Sequence, residues 1–89
     1  MYALELSEHA NKFLSKLDRS TSERIKERLK RLATEPIPSD AKFITREGGD
    51  KVFRYRIGDC RALYKVKESE KIVLVAKIDK RPRIYDRSF

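Results

Sequence analysis

The stretch Lys51-Val-Phe-Arg-Tyr-Arg-Ile-Gly-Asp-Cys-Arg-Ala-Leu-Tyr64 decides the fold. Gly58-Asp59 lies between two alternating segments and reads as a two-residue hairpin turn, which fixes the register of the strands it joins. Ile57 then opposes Cys60, Tyr55 opposes Ala62 and Phe53 opposes Tyr64, giving one apolar face. The other face sets Arg54 opposite Leu63 and Arg56 opposite Arg61. Like charges facing each other across a strand pair destabilise a sheet. An anion seated over them relieves that repulsion, and the planar fork of arginine suits phosphate.

Working outward, Lys71–Asp79 continues as a third strand after a Glu68-Ser-Glu70 turn. Its Ile72, Leu74, Ala76 and Ile78 alternate onto one face and Val73 and Val75 onto the other, as expected of a central strand covered on both sides. Upstream, Tyr2–Leu6 alternates as a short strand. Ser7 is placed to cap a first helix, whose Ala10, Phe13, Leu14 and Leu17 form an apolar stripe. Asp18-Arg19 breaks that helix, and Ser20-Thr-Ser-Glu23 fits a capping box for a second one. The second helix runs to about Glu35 before Pro36, burying Ile25, Leu29, Leu32 and Ala33. Its charged outer side reads as a solvated face. Pro36 to Asp50 reads as loop, with Ala41–Ile44 dipping toward the core and Gly48-Gly49 marking a turn. The expected architecture is α+β. An N-terminal strand and a helical hairpin pack on an antiparallel β-sheet, in one domain spanning 1–89, with the arginine face open to solvent.

The formal net charge is +8. Residues 1–50 hold 10 Lys/Arg against 9 Asp/Glu, whereas residues 51–89 hold 12 against 5. The excess therefore lies on the strands and tail, and polyanions are the natural partners. With 1 Cys, no internal disulfide forms, and Cys60 reads as a small core residue. The N-terminus lacks the regions of a signal peptide, and no apolar run reaches membrane-spanning length, so a cytoplasmic location is expected.

Several chemistries are excluded. A single His and a single Cys cannot supply a structural zinc site, and there is no glycine-rich phosphate loop followed by Lys and Ser/Thr. His9 reads as a surface residue, outside any catalytic triad. What remains is a basic surface of Arg54, Arg56 and Arg61, joined by Arg81 and Tyr85 from the tail. Converging cations stabilise the charge that builds on a phosphate in its transition state. RNA carries its own nucleophile, the 2′-hydroxyl, so in-line cleavage requires neither metal nor protein nucleophile. Tyr85 could stack on a base or staple the tail to the sheet. The same charges also serve plain nucleic-acid binding, and on composition alone that reading comes first.

The segment Arg54-Tyr-Arg-Ile-Gly-Asp-Cys-Arg-Ala-Leu-Tyr64, with Lys80-Arg-Pro-Arg-Ile-Tyr85 further on, resembles the RelE/ParE superfamily of toxins from type II toxin–antitoxin systems. The resemblance covers nearly the whole chain, and the hairpin pattern does not by itself separate the branches. It implies a RelE-like fold and, for the RelE branch, a ribosome-dependent mRNA endonuclease that leaves a 2′,3′-cyclic phosphate. By that resemblance Arg54, Arg56 and Arg61 hold the scissile phosphate, Arg81 protonates the leaving oxygen and Tyr85 stacks on a codon base. Lys51, Lys65, Lys80, Arg83 and Arg87 supply further cations for the RNA. Well-studied members of that branch carry lysines where Arg54 and Arg56 stand. An arginine stays protonated at neutral pH, so here it stabilises charge and is a poor base. The implied partners are a RelB-like antitoxin, the ribosome and mRNA, with no cofactor, no metal and no membrane. A ParE-like topoisomerase (gyrase) inhibitor without nuclease activity, and a non-catalytic RNA-binding module, are the alternatives.

Overall fold

The computed structural model describes residues 1–80. The elements follow in the order β1 (Ala3–Leu6), α1 (Glu8–Ser15), α2 (Arg19–Thr34), β2 (Lys42–Glu47), β3 (Asp50–Ile57), β4 (Cys60–Lys67) and β5 (Ile72–Lys80). Among the described residues the strands form one sheet, ordered β1-β5-β4-β3-β2. The β3-β4-β5 run is antiparallel, as expected, and β2 adds to it antiparallel to β3. The N-terminal strand joins at the far edge, parallel to β5, with Leu4 opposite Val73 and Leu6 opposite Val75.

The central hairpin has the register set out above: Ile57 opposite Cys60, Arg56 opposite Arg61, Tyr55 opposite Ala62 and Phe53 opposite Tyr64. Gly58 has φ +61° while Asp59 does not share the positive φ, which is the signature of a type II′ turn with glycine at its first central position. The helices cover the apolar face, and Phe53, Tyr55, Ile57, Cys60, Ala62 and Tyr64 join Ala10, Leu14, Ile25, Leu29 and Leu32 in one core. Phe53 stacks on Tyr64 at 5.6 Å between centroids. The hydroxyl of the fully buried Tyr64 donates to the Pro36 carbonyl at 2.7 Å, pinning the chain where it leaves α2. Burial, first of all, drives that phenol's pKa well above its ordinary value.

Ser7 caps α1 as its position predicts, its Oγ accepting from the Ala10 amide at 3.1 Å. The same hydroxyl donates to the Ala76 carbonyl at 2.6 Å, tying the start of α1 to the last strand. The cap of α2 differs from expectation. Asp18, not Ser20, accepts from the Thr21 amide at 3.1 Å, so the helix begins two residues earlier than a Ser20 cap would place it. Asp18 reaches the orphan amides first, and Glu23 turns to Arg19 instead at 3.4 Å. The stripe on α2 is buried at Ile25, Leu29 and Leu32, with Ala33 half-buried.

Three further expectations change. The stretch read as loop contains β2, an edge strand, and Phe43 and Ile44 are 55% and 46% exposed instead of dipping into the core. Ala41 packs against the core, and the exposed Phe43 ring meets the core residue Phe53 edge-on at 5.9 Å. In β5 the alternation breaks: Tyr64 pairs with Val75 but Leu63 pairs with Lys77, so Ala76 is an extra, bulged residue. The bulge turns Ile78 onto the face of Val73 and Val75, all fully buried, while Ile72, Leu74 and Ala76 are only half-buried. Finally, the arginine face is not open throughout. Val52, Leu63 and Arg61 are buried there, because β4 is the middle strand and Arg61 has Arg56 on one side and Asp79 on the other. No described helix is long and apolar enough to cross a membrane.

Candidate active site

β2 ends its pairing at Lys42, opposite Arg54, so Tyr55–Ile57 run on past it to the turn. At that corner, side chains from both faces of the sheet meet. A cavity of about 500 Å³ there is lined by Arg54 and Arg56 from β3, Gly58 from the turn, Arg61 from β4, Lys42 from β2, Arg28 from α2 and Asp40 from the loop before β2. Five of these side chains are cations and one is a carboxylate. Such a cavity favours an anion, with arginine forks able to contact several oxygens at once.

The three arginines singled out from the hairpin thus line one space, with graded exposure. Arg61 is 4% exposed, Arg54 half-buried and Arg56 exposed. A buried, strand-held guanidinium keeps its geometry when substrate arrives, whereas an exposed one has to be ordered. The other predicted cations stand elsewhere. Lys65 shares the arginine face but lies further along β4 and pairs with Glu47. Lys51 is half-buried and pairs with Val66, on the side of Phe53. Lys80 is exposed at the end of β5, opposite Cys60. Arg81, Arg83, Tyr85 and Arg87 lie outside the described residues.

Three lining residues escaped the sequence reading. Arg28 belongs to the charged side of α2 that reads as solvated, yet it sits at the i+3 position of the stripe Ile25, Leu29, Leu32, which points it toward the sheet. Its Nη2 donates to the Tyr55 hydroxyl at 3.3 Å, and its guanidinium lies 5.4 Å from the centre of that ring. The same Nη2 is 3.7 Å from Asp40 Oδ2. Asp40 and Lys42 fell in the Pro- and Gly-bounded stretch, where no periodicity announced a site. Cys60 is buried, and burial and then Asp59 raise its thiol pKa, so it offers no thiolate nucleophile. His9 is exposed on α1, as expected.

A family model described as the ParE toxin of type II toxin–antitoxin systems, parDE, matches residues 4–85. The chain belongs to that toxin family. It is a RelE-like toxin of a type II toxin–antitoxin system, within the RelE/ParE superfamily. A relative from Methanocaldococcus jannaschii that carries the name RelE1 is 34% identical over 85 residues, covering 94% of each chain. Among solved structures, the archaeal RelE–RelB complex from Pyrococcus horikoshii is similar at 27% identity and TM-score 0.81, covering 92% of this chain and 97% of that one. The RelBE2 toxin–antitoxin complex of Mycobacterium tuberculosis is similar at 26% identity and TM-score 0.74, covering 90% and 98%. The toxin's five-stranded sheet with two helices is the architecture of these neighbours.

Proposed function

We propose that this toxin inhibits translation as a metal-independent endoribonuclease, cutting mRNA on the ribosome. The convergence of Arg54, Arg56 and Arg61 on one cavity carries the reading. The 2′-hydroxyl attacks the adjacent phosphorus, the P–O5′ bond breaks, and the products are a 2′,3′-cyclic phosphate and a 5′-hydroxyl. Arg61, held by the sheet, fixes the phosphate, while Arg54 and Arg56 close on it and offset the charge that builds on its oxygens. Arg81 protonates the leaving 5′-oxygen or stabilises its charge and Tyr85 stacks on a base, with Lys51, Lys65, Lys80, Arg83 and Arg87 as outlying cations for the RNA backbone. The toxin acts in the cytoplasm.

Primer extension on mRNA translated in the presence of the purified toxin should reveal cuts within codons, reduced in Arg61→Ala and Arg81→Ala. Equal cutting by those variants removes the assignment. The solved neighbours include RelE–RelB complexes, which supports a RelB-like antitoxin as partner, acidic where it meets the cavity. Saturating antitoxin is expected to abolish cutting. The ParE description of the matching family favours a second reading, inhibition of a topoisomerase. Arrested DNA supercoiling with intact mRNA would select it.

A further inference from the structure

The reaction proposed above needs a proton acceptor for the 2′-hydroxyl, and among the described residues that line the cavity Asp40 is the carboxylate beside Arg28, Lys42, Arg54, Arg56 and Arg61. An arginine holds its proton at neutral pH. We infer that Asp40 is the catalytic base: its carboxylate takes the 2′-hydroxyl proton as the O2′–P bond forms. This rests on the ribonuclease reading and names a residue that reading leaves open.

Asp40 is placed for the role from several directions. The loop that carries it is pinned on both sides, by the Tyr64 hydroxyl on the Pro36 carbonyl at 2.7 Å and by the Ala41 amide on the Pro38 carbonyl at 3.0 Å. Arg28 Nη2 lies 3.7 Å from Oδ2 and itself donates to the Tyr55 hydroxyl, so the carboxylate sits beside a guanidinium anchored on the core. The side chain is 59% exposed, so substrate can reach it. A carboxylate lining an anion-binding cavity repels the phosphate, so it adds nothing to affinity; an acceptor within reach of the 2′-hydroxyl is what it does add. Arg28 is then a positioning residue that acts through Asp40.

The test is single-turnover cleavage of mRNA on programmed ribosomes, beside binding of an mRNA carrying a 2′-deoxy residue at the cut site. Asp40→Asn is nearly isosteric at an exposed position, and its melting temperature should match the parent. Its cleavage rate is expected to fall about 10²- to 10⁴-fold, the range for loss of a general base. Its binding should hold or tighten, because a negative charge has left the cavity. Asp40→Glu should recover part of the rate, and the acid limb of the parent's pH–rate profile should disappear in Asp40→Asn. If Asp40 served only to hold Arg28, Asp40→Asn would keep the shape of the parent's pH–rate profile whatever its rate; that result, or an unchanged rate, overturns the inference. Should Asp40→Asn cut like the parent while Arg61→Gln does not, this inference alone fails. Should the parent itself leave mRNA intact, the ribonuclease reading fails and takes this one with it.

Discussion

The two faces of the β3–β4 hairpin share a backbone and a register, yet they are held by different physics. Toward the helices, Phe53, Tyr55, Ile57, Cys60, Ala62 and Tyr64 lie in a continuous core and draw their stability from area removed from water. On the reverse side Val52 and Leu63 are just as buried, but their neighbours in register are charged: Arg54 opposes Leu63 and Lys65 opposes Val52. Arg61 is 4% exposed while its partner Arg56 is exposed. Placing arginines opposite one another weakens the sheet, so the core on the helix side has to compensate. The difference separates a face that sets stability from one that gathers positive charge.

Substitutions should respect that division, and any that cross it would break it. The largest effect belongs to the core. Leu29 is fully buried, and Leu29→Ala should lower unfolding free energy by about 2–5 kcal/mol in denaturant titration, with cleavage per folded molecule unchanged. On the reverse face, Arg61→Gln should reduce cleavage about 10²- to 10³-fold while the denaturation midpoint moves far less. A variant that unfolds instead would place Arg61 among the structural residues. Ser7→Ala removes both the α1 cap and the donor to the bulged Ala76 carbonyl, for a loss of about 1–2 kcal/mol and no change in cleavage.

The smallest effect concerns pH. The Thr21 hydrogen bonds hold the Asp18 carboxyl below its ordinary value of 3.8. A depressed folded pKa means that this cap's contribution is present above the unfolded value and is lost as pH falls through the folded one. Thermal melts from pH 5 downward should therefore lose a small increment that Asp18→Asn does not lose.

The sequence carried the hairpin register because a Gly-Asp pair between alternating strands leaves few other ways to turn. It carried Arg54, Arg56 and Arg61 as neighbours for the same reason. It did not carry Ala76, since a bulge is one unpaired residue inside a run whose alternation looks unbroken. Nor did it carry β2, whose residues are exposed almost throughout and so leave no burial pattern. Arg28 was visible only as a charge among charges. Its place in the apolar stripe becomes meaningful once Tyr55 lies beneath it. Asp40 depends wholly on tertiary structure: the loop reaches the cavity because Tyr64, 28 residues from Pro36, anchors it.

The parallel pairing of β1 with β5 has a consequence for synthesis. The first strand to leave the ribosome is matched to the last of those described, Leu4 to Val73 and Leu6 to Val75, so the sheet cannot close until both have emerged. A nascent chain truncated before residue 72 has no partner for β1 and nothing for Ser7 to clasp. Abortive products of this toxin should therefore be unfolded, and only a chain translated through β5 can complete its sheet.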